Sequence, residues 1–436
     1  MIIDSIFRKV NSLENHRFYY LSTNPYAFGT NAIEIRDGII KAKRLNKKLI
    51  ILHTFDAPLI FKYKLTNQYL LSIESEFIHK PNKYMLFLSR LILTIIYIPL
   101  RQYFLFIKNF TNMHVPESYS FPCIGQDGLY IPEGAAKNYT FDLFKNDDVS
   151  YKSYDNVRLK LEGYCDHELQ AFIEKIGVPN DTKFVCLHVR ESGFHNDKGR
   201  REFRNSDIMS FIPAIKEITK KGWWVVRMGD ASMTKLPIMK NVIDYPFCKC
   251  KSDLMDMCLI KYCYFMIATP SGLNEVATLF NIPILLVNQY SWLYSLPSNG
   301  RELIQHVYYN KENRYLSLKE MYLTGFNLNK RTGQMDLTGY TLVNNTEKEI
   351  SSAVSEYMFF MESKLPVTRQ QIMVNSYRKD SVYNNVKSSV FNVKNTEDLR
   401  LLYRNARHFL DKGSFVCDFY IKNNWEEDLM NHKINL

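Results

Sequence analysis

Histidine and arginine side chains cluster at the end of one apolar run in this sequence. Residues 184–190 read as a short strand that ends in His188 and Arg190, two residues apart and therefore on the same side of the chain. A buried arginine at the end of a strand requires an anion, and a diphosphate matches its two-pronged guanidinium. We therefore predict that Arg190 binds a phosphorylated ligand, and a structural ion pair with Glu191 is the alternative.

The segment after this strand is polar and rich in cations. It contains His195 and several arginines, of which Arg204 is the last. Charge runs of this kind are often solvated surfaces, but the position directly after Arg190 favours contact between Arg204 and an anionic ligand. Arg227 ends another predicted strand, and we expect it to face the same crevice.

A second candidate site precedes a predicted helix. Thr269, Ser271 and Gly272 lie where the free amides and the positive end of a helix dipole bind phosphate, and glycine allows close approach. The alternative is an ordinary helix cap by Ser271. Asn288 ends the next strand, so we predict that it binds the sugar or base of the same ligand.

The elements that position these residues alternate between strand and helix. Such alternation predicts an α/β fold with a doubly wound sheet, which binds ligands at the carboxyl ends of its strands. A strand–loop–helix–strand pattern over residues 17–52 predicts a second parallel unit. The central pattern consists of strands at 184–190, 223–228, 242–245, 264–268 and 283–288, and of helices at 208–221 (capped by Ser210), at 253–262 and after Gly272.

Composition narrows the class of protein. The chain has 436 residues, of which 46% are hydrophobic, so it is neither disordered nor collagen-like. Its net charge of +11 suits acidic partners, but no nucleic-acid-binding motif is present. Eight cysteines and the lack of a secretory signal predict reduced thiols and a cytoplasmic location. A zinc site is the lesser alternative for four of them: Cys248, Cys250, Cys258 and Cys263.

Residues 84–107 are unusually apolar. Arg90 and Arg101 bracket ten residues that are almost wholly apolar, fewer than the about 20 that a membrane-spanning helix requires. Two interpretations remain open, a buried helix and a segment lying in the plane of an anionic membrane surface. The second would make the protein peripheral on the inner face of the cell membrane.

Several blocks of the central region resemble a family of bacterial glycosyltransferases encoded in surface-polysaccharide loci, and the His188-x-Arg190 element is similar to that of fucosyltransferase-type enzymes. The resemblance implies a GT-B fold, in which two Rossmann-like doubly wound domains face a cleft. It implies an acceptor domain at 1–160, a nucleotide-sugar donor domain at 161–345 and a helical C-terminal extension at 346–436. The blocks lie at 185–191, 203–207, 224–229, 243–245 and 271–272.

The predicted function is metal-independent transfer of a sugar from a nucleotide sugar to a surface-glycan or lipid-linked acceptor. No Asp-x-Asp element is present to hold a metal, so arginines and a helix dipole would stabilise the leaving diphosphate. The nucleotide sugar is a co-substrate, and no cofactor is expected. Two alternatives remain, a nucleotide-sugar epimerase of the same fold and a non-enzymatic membrane-peripheral scaffold. Candidate bases are Glu191, His188 and His195, with Glu34 and His53 as further possibilities.

Overall fold

The computed structural model describes two compact units. The first comprises the described residues up to Cys165, and the second comprises those from Asp166 onward. The ranges described are 17–23, 28–53, 67–92, 94–95, 154–193, 202–292, 299–324, 339–392 and 414–431.

The first unit contains the predicted strand–helix–strand pattern. Strand β1 (Phe18–Ser22) pairs in parallel with β2 (Lys48–Leu52), and helix α1 (Phe28–Arg44) connects them. The helix lies close to the strands, since a Cβ atom on Gly38 would stand 2.6 Å from a methyl group of Leu21. The parallel βαβ unit predicted from the sequence is therefore confirmed. The rest of this unit includes α2 (Gln68–Leu71) and the antiparallel pair of β3 (Ile73–Glu74) and β4 (Lys160–Leu161).

Seven parallel strands form the sheet of the second unit. The strands are β5 (Phe184–His188), β6 (Trp224–Arg227), β7 (Val242–Asp244), β8 (Phe265–Ala268), β9 (Ile284–Gln289), β10 (Arg301–Ile304) and β14 (Phe415–Val416). Their order across the sheet is β7-β6-β5-β8-β9-β10-β14. Most of these strands are continuous apolar runs rather than alternating ones, as is typical of a parallel sheet with helices on both faces.

This strand order is that of a doubly wound sheet, as the sequence predicts. The chain proceeds outward from β5 through β6 to β7 and then crosses back to the other side of β5, where β8 pairs with it. The direction of winding therefore reverses between β5 and β8. Ligands of such sheets bind outside the carboxyl ends of the strands at this reversal.

The connecting helices lie close to their predicted positions, with one difference at the helix after β5. Residues Ile208–Phe211 form a 3-10 turn capped by Asp207, and the α-helix begins only at Ile212, with Pro213 in its first turn. The cap position is therefore occupied by Phe211, which forms no side-chain cap, so the cap predicted at Ser210 is wrong. The helices are α3 (Asp166–Lys175), α4 (Ile212–Lys220), α5 (Asp253–Tyr262), α6 (Gly272–Leu279), α7 (Leu318–Thr324), α8 (Glu347–Ser363), α9 (Arg369–Asn392), α10 (Asp418–Asn424) and α11 (Glu426–Asn431).

The C-terminal segment is built into the second unit. Thr346 and Glu349 form a capping box at the start of α8, which packs on α4. Strand β14 completes the large sheet by pairing with β10. The described part of 346–436 thus belongs to the second compact unit. A small antiparallel sheet precedes it, with strands β11 (His306–Tyr309), β12 (Arg314–Tyr315) and β13 (Tyr340–Val343).

Part of the apolar segment at 84–107 is described. Residues 83–92 are helical and begin after Asn82, whose side chain accepts a hydrogen bond from the amide of Met85 at 2.8 Å. Among the residues that the structure describes, no helix combines the length and apolar character needed to cross a bilayer.

Candidate functional site

Two loops meet between β5 and β8, where the direction of winding reverses. The amide of Arg190, just beyond β5, donates a hydrogen bond to Thr269 Oγ1 at 2.8 Å, and the amide of Thr269, just beyond β8, donates to the His188 carbonyl at 3.0 Å. Thr269 is fully buried. Its hydroxyl therefore fastens the two loops together, and this is a different role from the phosphate contact predicted for it.

The Arg190 guanidinium lies within this crevice and is almost wholly buried. It donates a short hydrogen bond to the side-chain carbonyl of Asn205, and the amide of Ser206 donates to the Arg190 carbonyl at 3.0 Å. The segment after residue 201 is thereby held against the end of β5. One partner of this guanidinium is thus a neutral amide oxygen, and the carboxylate of Glu191 pairs with Arg227.

Arg204 reaches the loop that precedes α6. Its Nε and Nη2 atoms donate to the carbonyl of Pro270 at 3.2 and 2.8 Å, and its guanidinium lies over the Tyr290 ring, 5.8 Å from the centroid. Among the described residues no carboxylate forms an ion pair with Arg204. A second cation therefore lies beside the loop that carries Ser271 and Gly272, and its contact with an anionic ligand stays a prediction.

The start of α6 has no side-chain cap from Ser271. Ser271 occupies the cap position with an extended backbone, but its hydroxyl donates to Asn274 Oδ1 at 3.3 Å rather than accepting from a helix amide. The Asn274 amide nitrogen donates in turn to the Thr269 carbonyl at 3.1 Å. The ordinary cap that the sequence left open is therefore not formed, and the first-turn amides keep their capacity to bind an anion.

Arg227 is fully buried and its charge is already balanced. Its Nη1 donates to Asp244 at 3.0 Å and its Nη2 donates to Glu191 at 3.1 Å. Two carboxylates flanking one guanidinium give the cluster a formal charge of −1, which disfavours contact with a diphosphate. These contacts favour a structural role for Arg227, in which it links the ends of β5, β6 and β7, over the ligand contact predicted for it.

Glu191 is likewise committed to structure. One carboxylate oxygen accepts from Arg227, and the other accepts from the amide and the hydroxyl of Thr234 at 2.8 and 2.9 Å. A general base needs an oxygen that can reach the substrate proton. Because both oxygens already accept hydrogen bonds, the contacts of Glu191 favour a role in anchoring the loop after β6 over the role of base predicted for it.

His188 is buried at the end of β5, and its Nδ1 lies 3.4 Å from the Met228 carbonyl. The pKa of His188 is lowered to about 4, chiefly by burial and also by the charges of Arg227 and Arg190, which outweigh the raising effects of the Met228 carbonyl and Asp230. An imidazole with so low a pKa is neutral near pH 7 and is a weak proton acceptor. Its surroundings therefore favour a structural role over the catalytic role predicted for it.

We expect the burial of His188 to make the protein less stable in weak acid. The unfolded chain binds a proton near pH 6.5, whereas the folded chain does so only near pH 4, so stability is fully present above the unfolded value and falls as the pH drops through this window. The loss is about 3 kcal/mol. Urea unfolding at pH 7.5 and 4.0 should show this loss in the wild type, and a His188→Gln variant should show a smaller one. Equal losses in both proteins would contradict the assignment.

The remaining predicted residues lie in different parts of the chain. Asn288 is buried with a left-handed backbone (φ 54°), and its side chain bonds to Ser206 Oγ at 2.9 Å and to the amide of Asn345 at 2.7 Å. Its amide thus joins three segments of the protein, and a ligand contact stays a prediction. His195 lies outside the described residues. Glu34 and His53 are buried in the first unit.

Sequence reasoning did not assign several partners in the site. Asn205 binds Arg190, Asp244 binds Arg227, and the Pro270 carbonyl binds Arg204. A signal for one of them existed: Arg227 and Asp244 end neighbouring strands and are paired in register. The other two depend on how a loop folds back, for which the sequence carries no periodic pattern.

The four clustered cysteines show no metal centre. Cys258 is buried on α5, where burial raises the pKa of its thiol to about 12, and Cys263 is buried just after that helix. Cys250 is exposed. Within the part of the chain that the structure describes, no three His, Cys, Asp or Glu side chains lie close enough together to bind a metal ion.

Comparison with known proteins gives distant structural likenesses. No protein-family model matches the chain, and no curated protein does. The chain is similar to a family 9 glycosyl transferase from Veillonella parvula, at 11% identity over 79% of this chain and 98% of that one, with a TM-score of 0.38. It is also similar to the spinosyn forosaminyltransferase SpnP, at 11% identity over 85% and 73% of the two chains, with a TM-score of 0.24.

A UDP-GlcNAc 2-epimerase from Methanocaldococcus jannaschii is similar at 12% identity over 82% of this chain and 80% of that one, with a TM-score of 0.23. TM-scores this low assign neither a family nor an activity to this chain. The function is therefore inferred from the strand order and from the contacts of the site itself.

Proposed function

We propose that this protein is a glycosyltransferase that binds a nucleotide-sugar donor at the reversal of its large sheet. One observation carries the proposal: Arg190 and Arg204 are held beside the uncapped start of α6, at the carboxyl ends of β5 and β8. Helix amides and arginines together match a diphosphate, which is the part shared by most nucleotide-sugar donors.

The chemistry follows from where negative charge accumulates. Transfer breaks the bond between the anomeric carbon and a diphosphate oxygen, while an acceptor hydroxyl bonds to that carbon and gives its proton to a base. Arg190, Arg204 and the α6 dipole would stabilise the departing diphosphate more than the intact donor, which lowers the barrier. In this proposal no metal is required. His195 remains the candidate base, since Glu191 and His188 are committed elsewhere.

The rest of the proposal concerns the acceptor and the place of action. In a GT-B arrangement the second unit would hold the donor, and the first unit would bind a surface glycan or a lipid-linked acceptor. The reaction would take place in the cytoplasm, where nucleotide sugars are made.

A charge placed at the start of α6 tests the donor site. We expect Gly272→Asp to weaken binding of the preferred nucleoside diphosphate at least tenfold, because the carboxylate occupies the anion position and repels the phosphates. The variant should stay folded, since an acidic residue in the first turn stabilises a helix by about 0.3–1 kcal/mol. Thermal shift with UDP, GDP, CMP, ADP and dTDP, with and without EDTA, identifies the nucleotide and measures the effect.

Gly272→Asn is the matched control, because asparagine has the size of aspartate without its charge. It should retain most of the binding, and the wild-type shift should persist in EDTA. A wild type that none of the nucleotides stabilises, or equal losses in the two variants, would overturn the donor site. Product analysis with the preferred nucleotide sugar then separates transfer, which requires an acceptor, from epimerisation, which does not.

A further inference from the structure

The helix at residues 83–92 in the first unit exposes an unusually apolar surface. Tyr84 is 87% exposed, Phe87 is 58% exposed and Ile95, shortly beyond, is 60% exposed. We define the apolar face as the seven exposed large side chains of this segment, which are Tyr84, Met85, Phe87, Leu88, Leu91, Ile92 and Ile95.

The opposite side of the same helix is more polar and less exposed. Leu86, Ser89 and Arg90 are half-buried, and so is Thr94. The hydroxyls of Ser89 and Thr94 donate to the carbonyls of residues four positions earlier, both at 2.7 Å. A helix on a water-exposed surface has the reverse arrangement, with apolar residues inward and polar residues outward. Apart from Lys83, the exposed side chains of this helix are large apolar groups, which indicates an apolar partner.

We propose that the apolar face docks onto the surface of an anionic lipid bilayer. The charge of the sequence on either side of the helix suits such a surface: residues 81–116 contain four Lys or Arg and no Asp or Glu, whereas Lys80 is already paired with Glu74 and Glu162. Lys83, in the first turn of the helix, is exposed. Apolar side chains enter the acyl boundary of a bilayer while cations remain at the headgroups, and each nearby cation adds to the attraction of anionic lipid.

The dimensions favour a helix that lies in the plane of the interface. Ten helical residues measure about 15 Å, whereas the hydrocarbon core of a bilayer is about 30 Å thick. Tyr84 stands at the first turn, and tyrosine prefers the interface because its ring is apolar and its hydroxyl is polar. Two copies of the chain joined through this face would instead bring identical cations together, whereas anionic headgroups neutralise them.

The test is co-sedimentation with vesicles of phosphatidylcholine alone and with one quarter phosphatidylglycerol. We expect the full chain to bind the anionic vesicles at least tenfold more tightly than the neutral ones. The double variant Leu88→Asp/Ile92→Asp changes two exposed positions one turn apart on the apolar face and should reduce this binding at least tenfold. The matched control Ile238→Asp/Ile372→Asp makes the same changes at exposed isoleucines of the second unit and should bind like the wild type.

Several outcomes would overturn the proposal. These are no binding by the wild type, equal binding by both double variants, and a wild-type dimer that only the Leu88→Asp/Ile92→Asp variant dissociates in sedimentation. Circular dichroism and melting temperature establish that each variant is folded. The proposal is independent of the donor site, so nucleotide-induced thermal shifts should be the same in both double variants, whatever the vesicle result.

Discussion

Replacing Arg190 by alanine is expected to weaken binding of the preferred nucleoside diphosphate by about 10- to 150-fold, the range for loss of a hydrogen bond to a charged group. The guanidinium is nearly buried beside the two loops at the sheet reversal, where water competes poorly for the phosphate. Isothermal titration with the diphosphate and with the corresponding nucleoside measures the effect. The nucleoside, which lacks the phosphates, should lose little affinity.

Two further variants separate ligand binding from structure. Arg190→Lys keeps the charge but loses the two-pronged geometry, so its affinity for the diphosphate should fall between those of the wild type and the alanine variant. Asn205→Ala removes one hydrogen-bond partner of the guanidinium and keeps the cation itself. If Arg190→Ala lowered the melting temperature but left the affinity for the diphosphate unchanged, Arg190 would be a structural residue and the donor site would need another cation.

Replacing Arg227 by methionine is expected to lower the free energy of unfolding by about 3–5 kcal/mol. Arg227 is fully buried between Glu191 and Asp244, and its loss leaves two carboxylates close together without a cation. Urea unfolding at neutral pH measures the change. The effect should be among the largest of any single substitution at the site, although Arg227 touches no ligand in our assignment.

The cause can be isolated by neutralising the carboxylates as well. The triple variant Arg227→Met/Glu191→Gln/Asp244→Asn should recover a large part of the lost stability, because no unpaired charge remains near the buried position. Lys220→Met serves as the exposed control: its ion pair with Glu217 lies in solvent, so the change should cost about 0.5 kcal/mol or less. Similar losses in the Arg227→Met and triple variants would instead attribute the effect to packing.

The alternation of strand and helix could be predicted from the sequence because its signal is local. Buried parallel strands are short apolar runs, and the helices between them have their own caps and periodicity. The predicted bounds of α5 (Asp253–Tyr262) are confirmed, and the doubly wound class is confirmed by the strand order. The proximity of Arg190 to the loop before α6 follows from that class alone.

Only the tertiary structure decided which arginine is enclosed by carboxylates. Arg190 and Arg227 both lie at the end of a predicted strand, yet Arg227 is buried between Glu191 and Asp244, whereas Arg190 donates to the side-chain oxygen of Asn205. The difference arises because ion pairing depends on lateral strand order and on loops that return from distant positions. The tertiary structure also decided which side of the helix at residues 83–92 is exposed. The sequence is apolar over most of this segment, and the apolar face is in contact with solvent because the more polar side of the helix is half-buried.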